Sequence, residues 1–100
     1  MPTPTVFSTS QNSLRVLVVT PDLLIFQGEA VSVSSFNEKG PFDVLAQHKN
    51  FISLIKIMVR LHFKDGKMKE IPVERGIIRV YQNRTDVYLI PQNEALATRK

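Results

Sequence analysis

Two imidazoles carry most of the chemistry this chain can offer. His48 sits in Gly-Pro-Phe-Asp-Val-Leu-Ala-Gln-His-Lys-Asn-Phe-Ile-Ser, residues 40–53, and His62 lies between Arg60 and Lys64. An imidazole titrates near neutral pH and ligates metals. His48 can therefore be read as a catalytic group, a metal ligand or part of a docking surface. The first two readings need partners. The chain has no cysteine, which removes disulfides, thiolate ligands and cysteine nucleophiles. Two histidines without cysteine make a poor structural zinc site. The four glycines are scattered rather than gathered into a phosphate loop, and no Gly-x-Ser-x-Gly or His-Glu-x-x-His occurs. The acidic residues mostly stand beside lysines, as in Glu38-Lys39 and Lys69-Glu70. The expectation is a chain that is not an enzyme by itself, with no catalytic residue, metal or cofactor.

The elements that must position His48 come from the hydrophobic pattern. At 100 residues and 43% hydrophobic content, the chain suits one domain with one core. Period two dominates. In residues 58–64, Val59, Leu61 and Phe63 alternate with Arg60, His62 and Lys64, which describes a half-buried strand. Val31 and Val33 alternate with Ser32 and Ser34 in the same way. Residues 76–82 and 86–90 are rich in β-branched and aromatic side chains, which suit a pleated surface. Asp65-Gly66 predicts a type I′ hairpin turn, and Asn83-Arg84-Thr85 predicts a second short turn. Pro21 and Pro91 close strand ends, where a missing N–H costs least.

The predicted strands are about 14–20, 23–27, 30–36, 42–46, 51–57, 58–64, 68–73, 76–82 and 86–90. The fold class is all-β: a flattened sandwich or barrel of about nine to ten short antiparallel strands. Residues 14–20 are apolar on both faces, which places that strand centrally. Residues 1–13 read as a flexible tail, 14–90 as the domain and 91–100 as a short tail. No apolar run approaches the ~20 residues of a membrane span, and the start has neither a secretory core nor an arginine.

The net charge is +4 and the isoelectric point about 9.7, which suits an anionic partner. One such reading is a free-standing basic β-barrel that binds nucleic acid. It needs aromatics on the same strand face as the cations, whereas Phe63 alternates away from Arg60 and Lys64.

The order of segments resembles the epsilon subunit of F-type ATP synthases, called delta in mitochondria. The carrying residues are the apolar strand Leu14 to Val19, the break Thr20-Pro21, Phe26-Gln27-Gly28 and the valine-rich Val31 to Val33. A glycine turn and a His-containing loop follow, Gly40 to His48, then Phe51-Ile52-Ser53. Gly76-Ile77-Ile78-Arg79-Val80 and Asp86-Val87-Tyr88-Leu89 resemble the family's closing hairpin. The resemblance runs from Leu14 to Ile90. It implies a non-catalytic rotor subunit that links gamma to the ring of c subunits, peripheral on the cytoplasmic face of a bacterial membrane and not inserted in it. It implies gamma contacts at Thr20, His48 and Ser53, and c-ring contacts at Asn37, Glu38, Lys39, Gly40 and Pro41, with Phe42 at the edge. Lys39, Lys49 and Lys56 flank these loops and would meet acidic groups there. His48 then docks.

The departures carry expectations too. Ala46-Gln47 stands where the family has Pro-Gly. Glutamine at a position needing positive φ predicts a new loop path. Asp43 and Arg75 replace further glycines. The family usually continues into a two-helix hairpin that brakes ATP hydrolysis, whereas ten residues follow Ile90 here. Either the natural chain is short or this sequence is a piece of a longer one. A natural short form would couple rotation without that brake, and no nucleotide site is expected on these residues.

Overall fold

The computed structural model describes residues 13–90, and all of its regular elements are strands. In chain order these are β1 (Leu14–Val19), β2 (Leu24–Ala30), β3 (Ser32–Asn37), β4 (Gly40–Leu45), β5 (Phe51–His62), β6 (Met68–Tyr81) and β7 (Arg84–Ile90). They form one seven-stranded sheet in the order β2-β1-β7-β6-β5-β3-β4. The all-β expectation holds. The count of nine to ten strands and the purely antiparallel sheet do not.

The count differs because two phase breaks are bulges rather than turns. Residues 51–57 and 58–64 join into β5, and 68–73 and 76–82 join into β6. Ile55 pairs with Gly76 and Ile57 with Val73, so β6 spends one extra residue at this point. Burial records the slip. Val73 and Gly76 are both buried, while Glu74 and Arg75 between them are both exposed. A bulge keeps the ladder going while bending it and sharpening its twist. Alternation read from sequence sees only an interruption.

The parallel pair is β1 with β7, from Arg15↔Arg84 to Val19↔Tyr88. A parallel pair requires a long crossover, and here all the strands between the first and the last supply it. No local pattern reports such a pairing. As expected, β1 lies inside the sheet, between β2 and β7.

The bent strands turn one sheet into two layers. β2, β1, β7, the end of β6 and the start of β5 make one layer. The start of β6, the end of β5, β3 and β4 make the other, because β3 pairs with Leu61 and His62 at the far end of β5. Contacts between strands that share no ladder close the sandwich. The Phe26 ring of β2 meets Phe63, just past β5, at 5.6 Å, and Phe42 of β4 meets Phe51 at 5.8 Å, edge to face. Between the layers lie Leu14, Val16, Val18, Val33, Val44, Ile55, Val59, Leu61, Ile78, Val80 and Val87, each at most 2% exposed.

Two turns differ in detail from the sequence expectation. The Asp65-Gly66 hairpin exists, but only Gly66 has positive φ, at 90°. The Gly66 N–H donates to the Phe63 carbonyl at 3.0 Å, and Phe63 N–H to Lys67 at 2.9 Å. This is the three-residue hairpin with a left-handed glycine rather than type I′. The type I′ pattern falls instead at Gln82-Asn83, with φ of 49° and 62°. Arg84 and Thr85 already belong to β7.

One buried group has no partner. The Thr85 hydroxyl is fully buried and finds no hydrogen bond among the described residues. An unmade buried hydrogen bond costs about 1–3 kcal/mol. Thr85→Val keeps the shape and removes the hydroxyl. It is expected to raise stability by about 1 kcal/mol, read as a higher urea midpoint with an unchanged slope.

Candidate functional site

The hairpin tip between β3 and β4 and the loop before β5 meet at one end of the sandwich. Asn37 shapes the tip. Its side-chain oxygen accepts the Lys39 N–H at 2.9 Å, and Gly40 takes φ of 115° to turn the chain back. Its amide nitrogen reaches across to the Ser53 hydroxyl at 3.2 Å. Ser53 also donates to the Leu54 carbonyl at 3.0 Å. Glu38, Lys39 and Pro41 are exposed at the tip, while Phe42 turns inward onto Phe51.

His48 joins this cluster through its ring. It lies 5.0 Å from the Phe51 ring, and its Nδ1 is 2.8 Å from the Lys49 carbonyl. That contact assigns Nδ1 as the donor and leaves Nε2 as the atom open to a partner. His48, Phe51 and Phe42 form a chain of rings beside the Asn37–Ser53 bond. The residues expected on the two docking sides are thus neighbours here. Thr20 is the exception. It follows the last residue of β1, three strands from β5 along the ladder, or about 14 Å. Its hydroxyl accepts the N–H groups of Asp22 at 3.3 Å and Leu23 at 3.0 Å, so it shapes a turn.

Glutamine does not avoid the left-handed conformation before His48. Gln47 itself takes φ of 67°, the left-handed region that glycine enters freely. The strain is held by two bonds. The His48 N–H donates to Leu45 at 3.1 Å, and the Gln47 N–H donates to the Asn83 side-chain oxygen in the neighbouring turn.

The sequence reading missed a second surface. The outward positions of β5, β6 and β7 are Ile52 and Leu54, Ile77, and Tyr88 and Ile90. Ile52 and Leu54 are 68% and 66% exposed, in a domain whose inward face is fully covered. The signal was present: Phe-Ile-Ser-Leu-Ile, Gly-Ile-Ile and Val-Tyr-Leu-Ile are apolar at both parities. Strands apolar on both faces are covered on both faces, and here only one face is covered by the described residues.

Beside this surface Asp86 is buried at 1% exposure. Arg84 reaches it at 3.3 Å and Arg79 at 3.8 Å. The Arg79 guanidinium lies 4.6 Å from the Tyr81 ring centre. Its pKa is raised, first by hydrogen bonding with Tyr81 and also by the Asp86 charge, so it is a permanent cation. Next to this cluster, Arg15, Gln27, Glu29 and Arg84 line a polar cleft of about 460 Å³. Asp86 lines it too, so two cations and two carboxylates balance there. Among the described residues no group of His, Asp and Glu lies close enough to hold a metal, and no helix is long and apolar enough to cross a membrane.

Comparison with known proteins fits this geometry. The family model described as the β-sandwich domain of the ATP synthase delta/epsilon chain matches residues 13–89. A chain named ATP synthase epsilon chain from Nitratiruptor is 36% identical over 74 residues, covering 73% of this chain and 57% of that one. Its namesake from Sulfurimonas denitrificans is 29% identical over 77 residues, covering 76% and 59%. The chain thus spans less than two thirds of the length of these relatives. Among solved structures, a chain of the Euglena gracilis mitochondrial ATP synthase, in an assembly of OSCP, F1 and c-ring, has a TM-score of 0.75 at 16% identity, covering 88% of this chain and 61% of that one. A chain of the Tetrahymena thermophila central stalk and c-ring reaches 0.64 at 9% identity, covering 78% and 63%. At these identities the likeness is one of fold.

Proposed function

The chain belongs to the ATP synthase delta/epsilon family as its β-sandwich domain, and from that premise we propose that it is a non-catalytic rotor subunit. It bridges gamma and the c ring at the cytoplasmic face of a bacterial membrane and passes torque between them. The observation that carries the reading is the exposed apolar face of β5, β6 and β7. A contiguous exposed apolar face on a domain of this size marks a surface that meets another protein. A closely packed sandwich resists shear, which suits a part that is twisted from two sides.

The hairpin tip from Asn37 to Phe42 takes the c-ring contact, with Glu38 and Lys39 free to meet the ring's loops. His48 and Ser53 take the gamma side, with Thr20 at the far rim of the same layer. Lys39, Lys49 and Lys56, all exposed, offer charge to acidic groups on both partners. The nucleic-acid reading loses its platform, because Phe63 packs onto Phe26 and Arg60 bonds Glu70 at 2.7 Å.

Co-expression with gamma and the c subunits of the same genome tests the proposal. Stable co-purification is expected. His48→Ala with Ser53→Ala should weaken gamma capture about tenfold with the fold unchanged. A well-folded chain that captures neither subunit would end the rotor reading.

A further inference from the structure

The exposed apolar residues form a shaped band whose surroundings define what can lie on it. Leu54 of β5 pairs with Ile77 of β6, and Ile77 with Tyr88 of β7. Ile52 stands two residues before Leu54 and Ile90 two after Tyr88, so both share this face. With about 4.8 Å between strands and about 3.3 Å per residue, the band from Ile52 to Ile90 runs diagonally for about 16 Å. Leu54, Ile77, Tyr88 and Ile90 are 66%, 38%, 40% and 45% exposed along it.

Cations edge the band on both sides. Arg79 lies two residues from Ile77 on one side and Arg75 two residues on the other, with Lys56 two residues beyond Leu54. The Arg79, Arg84 and Asp86 cluster keeps one net positive charge, since one buried carboxylate meets two guanidiniums. The other acids on this face are Glu74, in the bulge at the corner, and Glu29 of β2, which lines the cleft with Arg15 and Arg84, beyond β1 from the band. Ile77 and Tyr88 stand on strands paired on both sides, so a visiting strand finds no free backbone at the band's centre. A helix needs none, because its own backbone bonds are internal.

We infer that the band docks an α-helix, supplied by another subunit, whose apolar stripe is edged by aspartate and glutamate. The source of the helix rests on the rotor reading; its chemistry rests on the band. About 16 Å accommodates about eleven helical residues, which place apolar side chains at i, i+4, i+7 and i+11 over the band. Carboxylates beside that stripe fall over Arg79 on one flank and over Arg75 and Lys56 on the other. A helix with basic flanks meets like charge on both.

Two lactam-stapled peptides test this on the isotope-labelled chain. Both carry leucine at i, i+4, i+7 and i+11; one has glutamate flanks and the other lysine flanks. The acidic peptide should shift the amide signals of Leu54, Ile77 and Tyr88 and bind at least tenfold tighter than the basic one. The preference should shrink in high salt and reverse in Lys56→Glu/Arg75→Glu. Equal affinities, shifts confined to other strands, or no binding would overturn the inference. Peptide binding by a chain that fails to co-purify with the synthase subunits would sink the rotor reading and keep the band. Co-purification that survives Leu54→Asp/Ile77→Asp unchanged would do the opposite.

Discussion

Gly76→Ala is expected to remove about 2–3 kcal/mol of stability, although it adds a single methyl group. A Cβ at this position would lie 2.9 Å from the Tyr88 carbonyl oxygen, 3.1 Å from Leu89 Cδ2 and 3.3 Å from Ile55 Cγ1. The nearest atom is backbone, and it belongs to the strand that pairs with Gly76 through Leu89. It cannot retreat without stretching the β6–β7 ladder. The site is also the end of the bulge, where Ile55 and Gly76 resume pairing. Strain there loosens the bend that makes one sheet into two layers. Domains of this size hold about 5–15 kcal/mol in all, so the loss is a large share and should appear as a much lower urea midpoint. Gly28→Ala is the control. Its Cβ would meet only the tip of the Phe26 ring, at 3.0 Å, and a ring can tilt away. A cost below about 1 kcal/mol is expected there. Equal costs at the two glycines would refute the backbone argument.

Leu54→Asp with Ile77→Asp is expected to leave the domain folded, at a cost of about 1 kcal/mol because the two carboxylates face each other across β5 and β6, and to weaken gamma binding at least about a hundredfold. Both side chains point outward, and Leu54 is 66% exposed, so folding relinquishes little when they become polar. Docking is different, because a partner would have to press its apolar side chains onto two carboxylates and strip them of water. A desolvated carboxylate left at each position costs about 1–3 kcal/mol, and each tenfold step in affinity is about 1.4 kcal/mol. Titration calorimetry against purified gamma reads the loss, and thermal melts of the isolated chain read the unchanged fold. Unaltered affinity in a folded double variant would place the interface elsewhere.

Much of the fold is legible because burial acts locally. Val59-Arg60-Leu61-His62 alternates, and the structure buries Val59 and Leu61 as that alternation demands. What escaped depends on partners distant in sequence. The bulge opposite Ile55 needs knowledge of which β6 residue lies across from it. The β1–β7 pairing joins the two ends of the domain. The left-handed Gln47 is held by Asn83, 36 residues away, and no rule about glutamine foresees it. The candidate site was legible in part. Asn37, Phe42, His48 and Ser53 gather at one end. Thr20 does not join them, since its hydroxyl is occupied by its own turn. The apolar band went unread because residues at both parities of β5, β6 and β7 resemble core until the structure shows which parity faces out.

The central claim is that this domain bridges two different partners, the c ring at the hairpin tip and gamma across the apolar face and the His48–Ser53 segment that adjoins the tip. The chain lacks cysteine, so a single introduced thiol reports on one position alone. Lys39→Cys at the hairpin tip and Ile77→Cys on the apolar face should each be assembled into the synthase and treated with a short bifunctional reagent. Cross-linking of Lys39→Cys to a c subunit and of Ile77→Cys to gamma is the predicted result. Both thiols joining the same subunit, or neither joining any in an assembled enzyme, would contradict it.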